Sequence, residues 1–479
     1  MMRYLSRNLG YFVCANIVLS LLILNWREVS LHLPFRRPPT NLPALNRPIS
    51  PGVNVELLSG PETETISQFV FTTIPGRAVV HGFTMLDKLY LKNGTLYILT
   101  TEHEKFPQRE HLLSKPINVG PGIDTTPTKE NLDFVSPRDA PEVLGDYALH
   151  IPGFTVILYD GPQFMTHYYH WWGEIILGFW RVYNALREDV AAEVLPRPNR
   201  FLLPNVAPGK WRDRAGVDAP LMRAAFPDTL IEEQDYWEDL AKLGTTVVFE
   251  RVMLVSRASA HRHPLGSVWY KMIAGAMAVG VPEGYWNPIR STLVQNVVGY
   301  LPVPPGSSES SISQGGRGEL PIVTYISRQG GGRRLITSDH DRLVESLEAL
   351  DKEGICKFRI VQMEKLNVKQ QIEVVAESTI IVGVHGNGLT HQLWMPPSPR
   401  SAVFEIFYPN DFTFDYEMLA RNMGHKHYGV WNDTFETYGK GDYHKGVHFS
   451  DQFHGSAIPV YGPAVAQKIR ERLVDPIED

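Results

Sequence analysis

The 479-residue sequence is poor in cysteine and in net basic charge, and each shortage excludes a class of protein. Its two cysteines, Cys14 and Cys356, lie far apart in different kinds of sequence, so neither an internal disulfide framework nor a cysteine-rich zinc site is expected. The net charge of −6 gives no general attraction to nucleic acid. Any site for a polyanion must therefore be local.

Metal-binding patterns are also scarce. The His-Glu-x-x-His arrangement of hydrolytic metalloenzymes is absent, and Asp339-His-Asp341 opens a predicted helix and does not follow a strand. One helical segment, His167-x-x-His170-x-x-x-Glu174, offers three nitrogen and oxygen ligands, but its spacing is not that of known hydrolytic zinc sites. We expect no metal cofactor.

One long apolar run is present, at the N-terminus. Arg3 and Arg7 precede about 18 uncharged residues, the short end of a bilayer span, and no small-residue cleavage site follows. Residues 1–26 are therefore predicted to form a cytoplasmic tail and signal anchor, with a cleaved signal peptide as the alternative. Residues 27–54 are rich in proline and are predicted to be an extended stem.

The rest of the chain is long enough for two α/β lobes. Residues 55–301, the predicted N-terminal lobe, mix strand and helix patterns, with strands at 156–159, 201–203 and 245–255 and helices at 168–186 and 267–278. Residues 302–320 consist mostly of turn and linker formers with a cluster of serines and are predicted to be a linker. The C-terminal lobe is assigned to residues 321–479.

In the C-terminal lobe strands and helices alternate regularly. Strands are predicted at 321–326, 356–363, 379–384 and 402–407, and helices at 339–352, 368–377, 389–395 and 414–423. This alternation predicts βαβ units and a parallel, Rossmann-like sheet, whose ligands gather at the carboxyl ends of the strands.

Two loops at strand ends suit phosphate. After the apolar strand at 379–384 comes a glycine turn, where Gly386 and Gly388 permit close backbone approach and the next helix directs its N–H groups and dipole at one spot. After the first strand come arginines in a glycine-rich loop, and guanidinium groups bind phosphate bidentately. The residues singled out in the two loops are Arg328, Arg333, Arg334, His385, Gly386, Asn387, Gly388, Leu389 and Thr390. Taken alone, either loop could equally be a structural turn or a solvated surface.

A polar face on a predicted helix completes the set. His167, His170 and Glu174 share one face of a helix that is otherwise covered by tryptophan and isoleucine. Buried imidazole and carboxylate groups are costly unless they are paired or used, so a purely structural hydrogen bond and a catalytic role both remain open.

These motifs resemble those of glycosyltransferase family 61, which contains xylosyl-, arabinosyl- and N-acetylglucosaminyltransferases. The stretch His385-Gly-Asn-Gly-Leu-Thr390 resembles the family's His-Gly-Ala-Gly-Leu-Thr signature, with Asn387 in place of alanine, and Ser327-Arg328 through Arg334 resembles its Ser-Arg-x-x-x-x-Arg-Arg loop. His170 and Glu174 match its Asn-x-x-His-x-x-x-Asp segment, with His167 in place of asparagine.

The resemblance implies a two-lobed GT-B architecture with the donor in the C-terminal lobe. It implies an inverting enzyme that transfers a sugar, GlcNAc or xylose, from a UDP-sugar to a hydroxyl of a glycan or glycoprotein, without a metal. An inverting transferase needs a base for the acceptor hydroxyl, for which Glu174 is the first choice and His170 the second. The resemblance of the loop implies that Arg328, Arg333 and Arg334 contact the donor diphosphate. For Glu405, at the end of a buried strand, a contact with the ribose and a solvent-facing position both remain open.

The anchor, stem and large domain then predict a single-pass type II protein of the Golgi or ER membrane with a lumenal catalytic domain. Two sequons, at Asn93 and Asn432, are compatible with glycosylation there. Two other classes of function are kept: an inactive, membrane-tethered carbohydrate-binding protein, and a glycoside hydrolase, for which a second carboxylate beside Glu174 would be required.

Overall fold

The computed structural model of the protein describes residues 65–66, 69–187, 195–303 and 320–476. They belong to one compact unit, Thr63–Asp479. The predicted anchor and stem, and residues 304–319 of the predicted linker, lie outside the described residues. Within the described ranges, no helix has the length and apolar character needed to cross a membrane.

The first sheet has nine strands in the order β5-β4-β3-β9-β6-β7-β8, with β1 paired to β6 and β2 to β3. The strands are Thr65–Ile66 (β1), Val79–Val80 (β2), Phe83–Lys92 (β3), Thr95–Leu99 (β4), Leu132–Val135 (β5), Ala148–Leu158 (β6), Arg200–Leu202 (β7), Leu230–Glu232 (β8) and Thr246–Val255 (β9). Strands β9, β6, β7 and β8 are parallel neighbours, whereas β3 pairs antiparallel with both β4 and β9. The first sheet is therefore mixed.

The second sheet has six strands in the order β11-β10-β12-β13-β14-β15. They are Ile322–Ile326 (β10), Lys357–Val361 (β11), Ile380–Val384 (β12), Ala402–Ile406 (β13), Lys426–Trp431 (β14) and Thr434–Glu436 (β15). All neighbours are parallel except β14 and β15. The predicted parallel sheet is confirmed, and its adjacent strands β10, β12 and β13 end at one edge.

Twelve α-helices lie in the described part of the chain. They are Arg109–Leu112 (α1), Ala140–Leu144 (α2), Leu177–Asn184 (α3), Asp218–Ala225 (α4), Gln234–Lys242 (α5), Arg257–Ala260 (α6), Pro264–Trp269 (α7), Asn287–Val298 (α8), Thr337–Lys352 (α9), Val368–Ala376 (α10), Asp415–Met423 (α11) and Gly462–Val474 (α12). Short 3₁₀ helices cover His103–Lys105, Pro162–Phe164, Met272–Ala278, Met363–Lys365 and Asn387–Trp394, and a π-helix covers Tyr169–Ile176.

One hydrophobic core continues from the first sheet to the second. Trp172 of the π-helix meets Trp394 of the Asn387–Trp394 helix edge to face, with ring centroids 5.0 Å apart. Nε1 of Trp394 also donates to the hydroxyl of Tyr168 at 2.8 Å. The helix that follows the glycine turn is thus fixed against the π-helix by burial of large aromatic rings, which is the dominant stabilising term in such cores.

Candidate active site

Strand β12 ends in a turn that only glycine can form. Gly386 has φ +154° and ψ 174°, a region of backbone space that is essentially restricted to glycine. A Cβ atom at Gly386 would lie 1.6 Å from Nη1 of Arg328. The missing side chain therefore makes room for the Arg328 guanidinium.

Two arginines of the glycine-rich loop converge on this turn. Nη1 of Arg328 donates to the carbonyl oxygen of His385 at 2.5 Å, and Nη1 of Arg333 donates to the same oxygen at 3.0 Å. Burial, followed by the charge of Arg328, lowers the pKa of Arg333. Arg334 is exposed and bonds to Gly331 of its own loop, so the structure does not bring it to the turn.

The His385 imidazole lies beneath the arginines in a buried polar group. Nδ1 of His385 lies 2.5 Å from Oε1 of Glu405, and Nε2 of His427 lies 2.8 Å from Oε2 of the same carboxyl. Burial raises the pKa of Glu405 well above its usual value, and burial lowers the pKa of His385 and brings that of His427 to about 3. Burial therefore disfavours the charged form of each of the three side chains.

This arrangement changes what Glu405 can do. Its side chain has no exposed surface and both of its oxygens are occupied by histidines. Glu405 lies under the site and supports His385, and it does not reach a ribose from where it stands.

The other residues of the glycine turn join the turn to the π-helix. Oδ1 of Asn387 accepts hydrogen bonds from the Tyr169 amide at 3.1 Å and from the hydroxyl of Thr390 at 3.3 Å. Leu389 is buried, and a Cβ atom at Gly388 would lie 3.0 Å from Ile326. The sequence predicts donor binding for all four of these residues, Asn387, Gly388, Leu389 and Thr390. In the structure they make packing and capping contacts.

The π-helix carries the second polar group. Oε2 of Glu174 lies 2.6 Å from Nδ1 of His170 and accepts a hydrogen bond from Nη1 of Arg257 at 2.6 Å, while Oε1 accepts one from the Met272 amide at 3.0 Å. Burial alone raises the pKa of Glu174, but Arg257 and His170 outweigh it and hold that pKa well below its usual value. Glu174 is therefore an ionised carboxylate whose partners are already in place.

His170 is the more accessible member of the pair. Its side chain keeps 25% of its surface exposed, whereas that of Glu174 keeps 1%. The exposed His167 ring lies 4.8 Å from the His170 ring. Because Glu174 bonds Nδ1, the Nε2 atom of His170 is the one left for a substrate. π-helical turns of this kind occur often at functional sites.

A chain of aromatic contacts links the two polar groups. The ring of Tyr416 lies 5.1 Å from His385 and 5.5 Å from Tyr169, and Tyr169 lies 5.3 Å from His170. The glycine turn and the π-helix therefore line one continuous region.

Sequence reasoning missed two charged residues of this region. Nζ of Lys271 pairs with Oδ2 of Asp415 at 2.6 Å, and both side chains are largely buried. Burial raises the pKa of Asp415, but Lys271 and His385 lower it below its usual value. Lys271 stands alone in the sequence between two short helices, so no pattern marks it.

Arg257 was also missed, although a signal for it exists. Ser256-Arg257 follows strand β9 as Ser327-Arg328 follows β10. A basic residue at the carboxyl end of a buried strand is the feature that drew attention to Arg328.

The remaining sequence-based expectations concern metals and glycans. Among the described residues, no group of three or more histidine, cysteine, aspartate or glutamate side chains is arranged to hold a metal ion. Metal independence stays a prediction.

Asn93 and Asn432 each stand at a hairpin turn with positive φ, and Asn93 is exposed. The glycosylation of both residues also stays a prediction.

Comparisons with known proteins bear on the same residues. The family model described as Glycosyltransferase 61 matches residues 168–415, which include the π-helix, both arginines and the glycine turn. The EGF domain-specific O-linked N-acetylglucosamine transferase of Drosophila melanogaster is 31% identical over 122 residues, or 26% of this chain and 22% of the relative. The protein of the same description from Mus musculus is 32% identical over 111 residues, or 23% of this chain and 19% of the relative.

The aligned segments thus span about a fifth of each curated relative. The family match is broader, because it covers more than half of the chain and contains every residue of the two polar groups except His427. On that match, the chain belongs to the glycosyltransferase 61 family.

Proposed function

We propose that the protein is an inverting glycosyltransferase that moves a sugar, GlcNAc or xylose, from a UDP-sugar to a hydroxyl of a glycan or glycoprotein. The observation that carries the proposal is the convergence of Arg328 and Arg333 on the His385 carbonyl, at the ends of adjacent parallel strands. A carbonyl dipole offsets two positive charges only in part, so this spot attracts an anion.

The nearby carboxylates do not neutralise the two guanidinium groups. Asp415 is paired with Lys271, Glu405 with two histidines, and Glu174 with Arg257 and His170. Within the described residues, neither Arg328 nor Arg333 forms an ion pair with a carboxylate. A diphosphate is an anion with enough oxygens for both guanidinium forks.

His170 is proposed as the base. Its Nε2 takes the proton of the acceptor hydroxyl as that oxygen attacks the anomeric carbon. The bond from the anomeric carbon to the diphosphate oxygen breaks, and its electron pair leaves with the diphosphate. Arg328 and Arg333 then stabilise the charge that develops on the leaving group.

In this scheme Glu174 orients His170 and is not itself the base. Its hydrogen bond to Nδ1 keeps the lone pair of His170 on Nε2 and stabilises the imidazolium that forms. The sequence ranked Glu174 first as the base, but a carboxylate that already has three partners is the better fit for orienting His170.

The sugar and the location are proposed on other grounds. The two curated relatives are named as N-acetylglucosamine transferases, which favours UDP-GlcNAc as the first donor to test. The N-terminal apolar run, the proline-rich stem and the two sequons support a type II protein of the Golgi or ER membrane with a lumenal catalytic domain.

Release of UDP tests the function. The full chain is incubated with UDP-GlcNAc and with UDP-xylose, with and without glycan and glycoprotein acceptors. Acceptor-dependent release of UDP supports the proposal. Cleavage of a glycoside without any nucleotide would support a hydrolase, and the absence of turnover with retained glycan binding would support an inactive binding protein.

A further inference from the structure

A segment near the C-terminus, residues 448–455, lies against Arg333 and beyond the residues of the family match. His448 forms two backbone hydrogen bonds with Phe412, of 3.0 and 2.9 Å. The buried carboxylate of Asp411 accepts hydrogen bonds from the Ser450 amide at 2.6 Å and from the Ser450 hydroxyl at 2.8 Å. These contacts fix the segment at the edge where the parallel strands end.

The 448–455 segment touches the candidate diphosphate site directly. The Arg333 guanidinium lies over the Phe453 ring, 4.9 Å from its centroid, and Nη2 of Arg333 lies 3.1 Å from Nδ1 of His454. Phe453 also packs against the His385 imidazole, with ring centroids 5.1 Å apart. A diphosphate held by Arg333 would therefore have this segment as its neighbour.

The same segment presents an aromatic ring to solvent. Phe449 is 52% exposed, although its ring packs edge to face on buried Phe453 with centroids 4.7 Å apart. Phe453 thus contacts both the Arg333 guanidinium, at 4.9 Å, and the exposed Phe449 ring, at 4.7 Å. The exposed His454 is next to Arg333 at the same edge.

We propose that the 448–455 segment is the nucleobase subsite of the donor, with Phe449 as its stacking platform. The inference rests on the proposed function, because the diphosphate must bind at Arg328 and Arg333 first. A nucleoside diphosphate carries an uncharged flat ring joined through a ribose to two phosphates. The surface offers these groups in the same order, because the exposed Phe449 ring packs on Phe453, and Phe453 packs under the Arg333 guanidinium. Base stacking on aromatic side chains is a general mode of nucleotide binding.

The assignment also gives the segment a role in choosing the donor. The family model ends at residue 415, so the 448–455 segment belongs to the part of the chain that the shared family pattern does not describe. Phosphate contacts bind any nucleoside diphosphate, whereas contacts to the base distinguish one from another. Discrimination among nucleotides is therefore assigned to hydrogen bonding by His454, stacking affinity for the base to Phe449, and diphosphate binding to the arginines.

Calorimetric titration of the full chain with UDP and with inorganic pyrophosphate tests the subsite. Phe449→Ala is expected to weaken UDP binding by about tenfold, the loss typical of one stacked base, and to leave pyrophosphate binding unchanged within about twofold. Phe449→Tyr keeps the ring and is expected to retain UDP affinity. Phe71→Ala removes an equally exposed phenylalanine, 48% exposed, from the first-sheet half of the chain and serves as the matched control.

The outcomes separate the two proposals. Unchanged UDP affinity in Phe449→Ala, with wild-type pyrophosphate binding intact, overturns the nucleobase subsite alone. Parallel losses of UDP and pyrophosphate binding in Phe449→Ala also overturn it, because they indicate a structural effect on the arginines. Failure of the wild-type chain to bind either probe overturns the diphosphate site and the subsite together.

Discussion

The guanidinium of Arg328 occupies the space that a side chain would need at Gly386. A Cβ atom at position 386 would lie 1.6 Å from Nη1 and 2.5 Å from Cζ of Arg328. Because the obstructing atoms belong to the end of a flexible side chain, an added methyl group displaces the arginine more easily than it displaces the backbone. The position of the Arg328 guanidinium therefore depends on the absence of a side chain at Gly386.

Gly386→Ala is expected to weaken UDP binding by at least about tenfold, the loss expected for one hydrogen-bonded charge, because it moves the Arg328 guanidinium off the His385 carbonyl. Calorimetric titration with UDP measures the effect. Gly441→Ala is the control, since Gly441 has φ +91° but open space around its Cβ position and so adds backbone strain without a clash. Equal UDP affinities in the two variants would contradict the steric explanation.

His170→Ala is expected to lower kcat by about 10²- to 10⁴-fold, the usual contribution of a general base, while UDP affinity stays near the wild-type value. Steady-state UDP release and calorimetry together give the two quantities. His103→Ala, at an exposed histidine of a 3₁₀ helix, is the control. Wild-type kcat in a folded His170→Ala protein would remove His170 as the base.

Glu405→Gln is expected to be tolerated, whereas Glu405→Leu is expected to destabilise the protein by about 3 kcal/mol through the loss of buried hydrogen bonds. An uncharged carboxyl has one donor and one acceptor, as an amide does, so glutamine can serve both histidines. Thermal unfolding compares the variants. A large loss of stability in Glu405→Gln would show that the carboxyl is ionised between His385 and His427.

Glu174 makes the stability of the fold depend on pH. Its pKa is lowered in the folded protein, so the charged form stabilises the fold above the unfolded-state pKa, and this contribution is lost as the pH falls through the lower folded-state pKa. Glu174→Gln is expected to cost about 3 to 5 kcal/mol at neutral pH by leaving Arg257 without its counter-charge. The difference in unfolding free energy between wild type and variant should shrink only below about pH 4.5. A difference that does not change with pH would contradict the assignment.

The second sheet was predictable because the local sequence pattern of its strands and helices agrees with their burial in the folded protein. Strand β12, with the sequence Ile-Ile-Val-Gly-Val, is buried along its whole length. Helices α9, α10 and α11 begin and end within about two residues of the predicted bounds, the usual uncertainty of helix ends. The first sheet was harder, because its hairpin β3–β4 was not predicted. The Asn93-Gly94 pair between these strands is a strong hairpin signal as well as part of a sequon.

The site was predictable in part for the same reason. Parallel strands gather their carboxyl ends at one edge, so the meeting of Arg328 and the glycine turn follows from the βαβ pattern. Lys271 could not be found in this way. The helix predicted at 267–278 is interrupted at Tyr270, whose backbone is left-handed with a φ of 52°. Because of this interruption, the side chain of Lys271 forms an ion pair with Asp415. Such a break depends on tertiary packing and has no local signature.

The sequence also could not show whether His170 or Glu174 is the more exposed side chain. On a helix of either kind the two residues share a face, but only the packing of Arg257 and Met272 around the carboxylate shows which group remains accessible. Arg334 shows the converse, since a third arginine in the loop matched the family pattern and yet lies on the surface.

The most direct test of the central claim is UDP binding by a chain that lacks both converging arginines. Calorimetric titration of Arg328→Ala/Arg333→Ala with UDP is expected to show affinity at least about 100-fold below wild type, from the loss of two charged hydrogen-bonding groups, whereas Arg334→Ala should change it far less. UDP affinity in the folded double variant equal to that of the wild-type protein would contradict the account.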